Sequence, residues 1–306
     1  MKLGRCSSSC CCFYVVVVVV VVSINSREEK MADYKSFELN LDNGVADLKL
    51  GNAKFKNALT KDFFVEFPAA IRALDQSGAV RALVLHSEGT HFCSGIDLNF
   101  FADETLINTS SPAARESFRR LVLAMQESCS ILNTVRFPVL VACQGAVIGA
   151  AVDLVSACDL RFATSDSYFV IQEINIGLMA DLGSLQRLPL ALPDAIVRQM
   201  AFTGAPLAPQ KAEQLGFVNQ VYEGHEQMLE DVFRMARTIA DRSPLAVAAS
   251  KLALNYNHGR TVEDALANAA VTQAAIFDPA AVMASVKAMK NKSKAEYADL
   301  SCDSKL

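Results

Sequence analysis

Residues 139–190 form one long apolar, glycine-rich stretch that reads as buried core, and carboxylates stand inside it, Asp153, Glu173 and Asp181 among them. Carboxylates are rarely buried unless paired, because desolvation disfavours their charge. Several of them in one dry setting point to raised pKa values and proton transfer. The competing reading gives each an ion pair with Arg161, Arg187 or another cation.

Around that stretch the pattern alternates. Residues 37–41 and 45–50 alternate apolar and polar side chains about Asp42-Asn43-Gly44, which predicts a β-hairpin. Spacing predicts a helix over 59–74, with Thr60 as N-cap, and a short buried strand over 81–87. Ser111-Pro112 opens a long helix to about Asn133. The apolar strand 138–143 then passes through Gln144-Gly145 into a small-residue helix ending near Ala157. Residues 160–163 and 168–171 read as strands, and from about Ser184 onward the pattern is helical. Alternation of this kind predicts an α/β core with some parallel pairing. The helical C-terminal extension would dock on its own core or on a neighbouring subunit.

Of the 306 residues, 52% are apolar, ample for a large core. Net charge is −4, with Lys and Arg scattered and no basic stripe, so a nucleic-acid partner is not expected. Cys6, Cys10, Cys11 and Cys12 crowd the start; Cys93, Cys129, Cys143, Cys158 and Cys302 are isolated. Without CxxC or Cys/His ligand spacing no metal site is expected, and buried free thiols in a reducing compartment are. Lys2 and Arg5 precede an apolar run holding eight valines, Val15 to Val22, the layout of a secretory signal too short to span a membrane. Ser304-Lys305-Leu306, by contrast, is a peroxisomal import tripeptide. The expectation is an extension over 1–30 outside the fold, with Met31 as working start. A core over 31–225 and a helical region over 226–306 follow. Recognition by a peroxisomal import receptor is expected, with a mitochondrial or secretory route if the extension is real, and no membrane span in the mature protein.

Two turns carry chemistry. His91-Phe92-Cys93-Ser94-Gly95-Ile96-Asp97-Leu98 follows a strand and turns at Gly95, leaving backbone N–H groups free to hold an anion. QGAVIGAAVD, from Gln144 to Asp153, runs from a strand into a helix of small residues, where unsatisfied N–H groups meet a favourable dipole. Facing each other, the two would form an oxyanion hole for a thioester enolate. These segments, with QGAVIGAAVDLVSACDLRFAT and IQEINIGLMADLGSLQRLP, resemble the crotonase family, also called the enoyl-CoA hydratase/isomerase superfamily, from about Phe37 to Lys290.

The resemblance implies a spiral of ββα units, an acyl-CoA thioester substrate, no cofactor beyond the coenzyme A of that substrate, and homotrimers often paired as hexamers. It places the oxyanion N–H donors at Ile96 and Ala150. Ser94, Gly95, Ile96, Asp97, Leu98 and Gly149 would bind substrate. Lys54 and Lys56 would lie along the nucleotide, with Lys251 a further candidate and Phe100 and Phe101 lining the acyl pocket. Asp153 and Glu173 fall where hydratases carry catalytic glutamates. Asp181 replaces the glycine usual in hydratases, which resembles the branch isomerising 3,5-dienoyl-CoA to 2,4-dienoyl-CoA. Such isomerisation moves a proton from C2 to C6 and needs two carboxyl groups in opposite protonation states. Glu173 and Asp181 are the expected pair, leaning to Asp181 at C2 and Glu173 at C6, with Asp153 orienting or tuning them. His86, His91, His225 and His258 receive no role. The rival readings are a plain enoyl-CoA hydratase and a non-catalytic RNA-binding relative.

Overall fold

Strands that carry apolar side chains on both faces can only sit between two covering layers, and that requirement shapes the molecule. The computed structural model describes residues 34–103 and 106–300. The expected extension with Met31, Cys6, Cys10, Cys11, Cys12 and Cys302, and the tripeptide Ser304-Lys305-Leu306 lie outside the described residues. β1 (Phe37–Asp42) and β2 (Val45–Leu50) form the expected hairpin, closing with Asp42 opposite Val45. β3 (Ala82–Ser87) and β4 (Val139–Cys143) add parallel strands, every residue buried.

β5 (Ala146–Ile148) departs from the expected layout: the chain forms a short strand after Gly145, and the small-residue helix starts only at Ala150. β6 (Leu160–Thr164) returns to the main sheet, while β7 (Tyr168–Val170) pairs in parallel with β5. β8 (Gln220–Tyr222), inside the region expected to be all helical, completes the order β1-β2-β3-β4-β6-β8. Within this six-stranded sheet only the β1–β2 pair is antiparallel.

The helices in chain order are α1 (Lys61–Ser77), α2 (Asn99–Ala102), α3 (Pro112–Thr134), α4 (Ala150–Ser156), α5 (Ser184–Ala191), α6 (Asp194–Thr203), α7 (Pro209–Gln214), α8 (His225–Ala240), α9 (Pro244–Tyr256), α10 (Val262–Ile276) and α11 (Pro279–Lys290). On one face of the sheet, Leu83, Leu85, Val139 and Val141 join Phe63, Phe67 and Ile71 of α1 and Leu132 of α3. On the other, Ala82, Val84, Leu140 and Ala142 meet Met228, Val232, Ala236 and Ala240. Those four lie at a constant spacing of four, a single stripe along α8. Strand periodicity of two thus sends alternate residues to two different layers. The fold is mixed α/β with a mainly parallel sheet, as expected. α3 opens as the Ser111-Pro112 signal predicts, with Ser111 Oγ accepting the Ala114 N–H at 3.1 Å.

Candidate active site

The loop after β3 is held by polar side chains that reach its backbone. Gln144 Nε2 donates to the carbonyls of Ser87 (3.1 Å) and Gly89 (3.2 Å), and Asn57 Nδ2 to those of Glu88 (2.8 Å) and His91 (2.9 Å). His91 Nδ1 accepts the Ala146 N–H at 3.2 Å. Cys93 then pairs with the β5 segment, donating to Ala146 O and accepting from Ile148 N–H, each at 3.1 Å. At Gly95, with φ of 90°, a Cβ would stand 2.8 Å from the Ile148 carbonyl oxygen and 3.7 Å from the Ala150 nitrogen. Only glycine allows that approach.

The two turns therefore meet as expected. Ile96 and Ala150 each carry a backbone N–H without a hydrogen-bond partner among the described residues. For Ala150 this follows from its place at the first position of α4, where no intrahelical acceptor exists. Both residues line a cavity of about 900 Å³. Ser94, Gly95, Asp97, Leu98 and Gly149 line it too, as do Phe100 and Phe101. Lys54 and Lys56, both exposed, line it as well, with Lys54 Nζ 5.6 Å from the centre of the Phe55 ring.

The three carboxylates occupy three different settings. Asp153, one turn into α4, is fully buried and does not line the cavity. Its Oδ1 accepts the Ser184 N–H at 2.5 Å, while its Oδ2 is buried without a partner. Burial raises its pKa from 3.8 to about 6, against the hydrogen bonds from Ser184; the charge of Asp181 adds to the rise and that of Arg187 opposes it. Glu173 opens the turn after β7 and lines the cavity, its Oε2 buried without a partner. A Cβ on Gly149, where φ is 57°, would stand 3.2 Å from Glu173 Oε1, so this carboxylate lies against the start of α4. Burial, then the charges of Asp153 and Asp181, bring its pKa up to about 7. Asp181 lines the cavity half-buried, and desolvation raises its pKa. None of the three forms an ion pair among the described residues: Arg187 instead bonds Ser130 Oγ (2.7 Å), Asn133 Oδ1 and Leu182 O (both 3.2 Å).

One expectation is overturned. Lys251 is 6% exposed, and its Nζ donates to Leu132 O (2.7 Å), Phe137 O (3.0 Å) and Asp159 Oδ2 (2.7 Å). Every donor is spent inside the protein, far too committed for a phosphate. Cys93, Cys129, Cys143 and Cys158 are buried free thiols, as expected. Three side chains that hold the site were not anticipated: Asn57, His91 and Gln126, whose Nε2 donates to Asp181 O at 2.7 Å. Only Gln144, an amide directly after an apolar strand, carried a signal of its own.

A backbone anion cradle beside two desolvated carboxyl groups suits an acyl thioester. A family profile described as enoyl-CoA hydratase/isomerase matches residues 40–300. The chain belongs to that family. Among its relatives in this enoyl-CoA hydratase/isomerase family is an Arabidopsis thaliana protein named Delta(3,5)-Delta(2,4)-dienoyl-CoA isomerase, peroxisomal, 35% identical over 279 residues, covering 88% of this chain and 99% of the relative. A Mus musculus family member of the same name, mitochondrial, is 32% identical over 81% of this chain and 77% of its own. Among solved structures of the family, an enoyl-CoA hydratase from Polaromonas sp. JS666 superposes with a TM-score of 0.77 at 25% identity, covering 86% of this chain and 99% of that one.

Proposed function

We propose that this protein isomerises 3,5-dienoyl-CoA to 2,4-dienoyl-CoA. The observation that carries the reading is the lining of one cavity by Glu173, Asp181 and the free N–H groups of Ile96 and Ala150. Relatives named for that reaction support it.

The thioester oxygen sits between the Ile96 and Ala150 N–H groups, where a single donor is worth about 3 kcal/mol to a developing oxyanion. Asp181, ionised, takes the C2 proton, and the electron pair spreads from the oxygen to C6 as a dienolate. Glu173, protonated, delivers a proton to C6. The product leaves Asp181 protonated and Glu173 ionised, so one proton must pass back before the next turnover. Asp153 acts on the pair through its charge, which favours the protonated form of Glu173. Lys54 and Lys56 meet the phosphates of coenzyme A, which is part of the substrate, and the reaction uses no cofactor. A peroxisomal setting belongs to the same proposal, supported by the relative named peroxisomal.

Replacing Asp181 by Asn tests the reading. Formation of the 2,4-diene, followed by ultraviolet absorbance with a synthetic 3,5-dienoyl thioester, is expected to fall by about 10²-fold or more. A folded Asp181→Asn protein at near wild-type rate overturns the proposal. Strong hydration of 2-enoyl-CoA by the wild type without diene migration assigns it to the hydratases instead.

A further inference from the structure

Asp181 stands in the irregular segment 177–183, between the turn that opens at Glu173 and α5. Among the described residues no other side chain holds its carboxylate, by hydrogen bond or ion pair. Its aim is therefore set by its own backbone. That backbone is pinned at three nearby points: Gln126 Nε2 donates to Asp181 O at 2.7 Å, Arg187 Nη1 to Leu182 O at 3.2 Å, and Ser184 N–H to Asp153 Oδ1 at 2.5 Å. Two of these pins do other work as well. Arg187 also binds the C-terminal half of α3 through Ser130 and Asn133, and Asp153 acts on Glu173. The Gln126 amide makes one contact to this segment, and it falls on the residue whose side chain is assigned the C2 proton. On α3, Val122 and Met125 beside it line the cavity.

We propose that Gln126 is a positioning residue for Asp181: its amide fixes the peptide after Asp181 so that the carboxylate faces the substrate carbon. This rests on the reading of Asp181 as a proton-transfer group. The amide N–H is the active part, because the atom it reaches is a carbonyl oxygen that can only accept. Glutamate at this position keeps the size and shape but, ionised, has no hydrogen to donate.

The test uses the full chain with the 3,5-dienoyl thioester. Gln126 is half-buried on a helix that tolerates both alanine and glutamate, so Gln126→Ala and Gln126→Glu should fold, which circular dichroism and thermal unfolding verify. Both are expected to lower kcat by about 10- to 10²-fold, the cost of a misplacement near 1 Å, with KM moved less than about threefold. Because Gln126 acts through Asp181, the double variant Gln126→Ala/Asp181→Asn should be no slower than Asp181→Asn alone; a merely structural role would give additive losses. Wild-type kcat in either folded variant, or additive losses in the double variant, overturns the inference. If Asp181→Asn alone keeps full activity, the underlying assignment of Asp181 fails and this inference with it.

Discussion

Asp153 keeps one oxygen on the Ser184 N–H and leaves the other in a dry interior without a donor. Moving its pKa from 3.8 to about 6 corresponds to roughly 3 kcal/mol of stability withheld when the group is ionised. The folded state holds this proton more tightly than the unfolded chain does, so stability falls as pH climbs from about 4 to about 6, and stays lower above that. What the charge supplies in return acts on Glu173, where it ranks next to burial in lifting the pKa to about 7. Near neutral pH Glu173 is therefore divided between its two forms. With Glu173 as the donor at C6 only the protonated form is productive, so kcat/KM for the dienoyl thioester should fall as pH rises through about 7. Rates measured from pH 5.5 to 9 check this at about half-unit steps. A rate that climbs through the same interval makes Glu173 the base at C2 and moves Asp181 to C6. These carboxylates were legible in the sequence because a charge in an apolar stretch contradicts its setting. Gln126 and Asn57 were not, since an amide on a helix or loop contradicts nothing; only the tertiary structure reveals which carbonyl it reaches.

At the scale of elements, long patterns were legible and short ones were not. The pattern located α3 to within a residue at each end, and the helical run expected from about Ser184 begins there with α5. β5 and β8 span three residues each, too few for alternation to register, and β8 exists only because β6 offers it an edge. The docking of α9 was equally hidden. Lys251 ties it to the end of α3 and to Asp159, whose Oδ2 also accepts the Val139 N–H at 2.7 Å, while Asn255 Nδ2 donates to Asn133 O at 2.8 Å. Removing the ammonium strands two carbonyls and a carboxylate that is 23% exposed. The cost falls toward the lower end of the roughly 3–5 kcal/mol expected for breaking a buried pair. Lys251→Ala should therefore lower Tm by about 5–10 °C, read by thermal unfolding, and leave KM for the thioester unchanged. A raised KM with unchanged Tm would return Lys251 to the coenzyme A site.

For the whole molecule, the last two long helices raise the main question. α10 and α11 bury none of their residues, and Val262 (76% exposed), Leu266 (65%), Val271 (71%) and Met289 (77%) face outward. A lone soluble chain rarely leaves so many large apolar side chains of two successive helices in water. No single helix among the described residues is long and apolar enough to cross a membrane; α10 and α11 reach that length and apolarity only as a pair, bent by 85° at the break between them. We propose that copies of this chain cover the surface, in the trimer or paired trimer that the resemblance implies. Light scattering during gel filtration should then give a mass about three or six times the 33.1 kDa of the chain. Val262 and Leu266 lie four residues apart, on one face of α10, so Val262→Glu together with Leu266→Glu puts two charges into the contact. Buried without partners, those charges cost several kcal/mol per interface, enough to shift the mass toward that of one chain. Both positions are exposed, so the variant should keep the far-ultraviolet circular dichroism of the wild type. A wild-type protein that runs as a soluble monomer removes the proposal, and so does a double variant of unchanged mass.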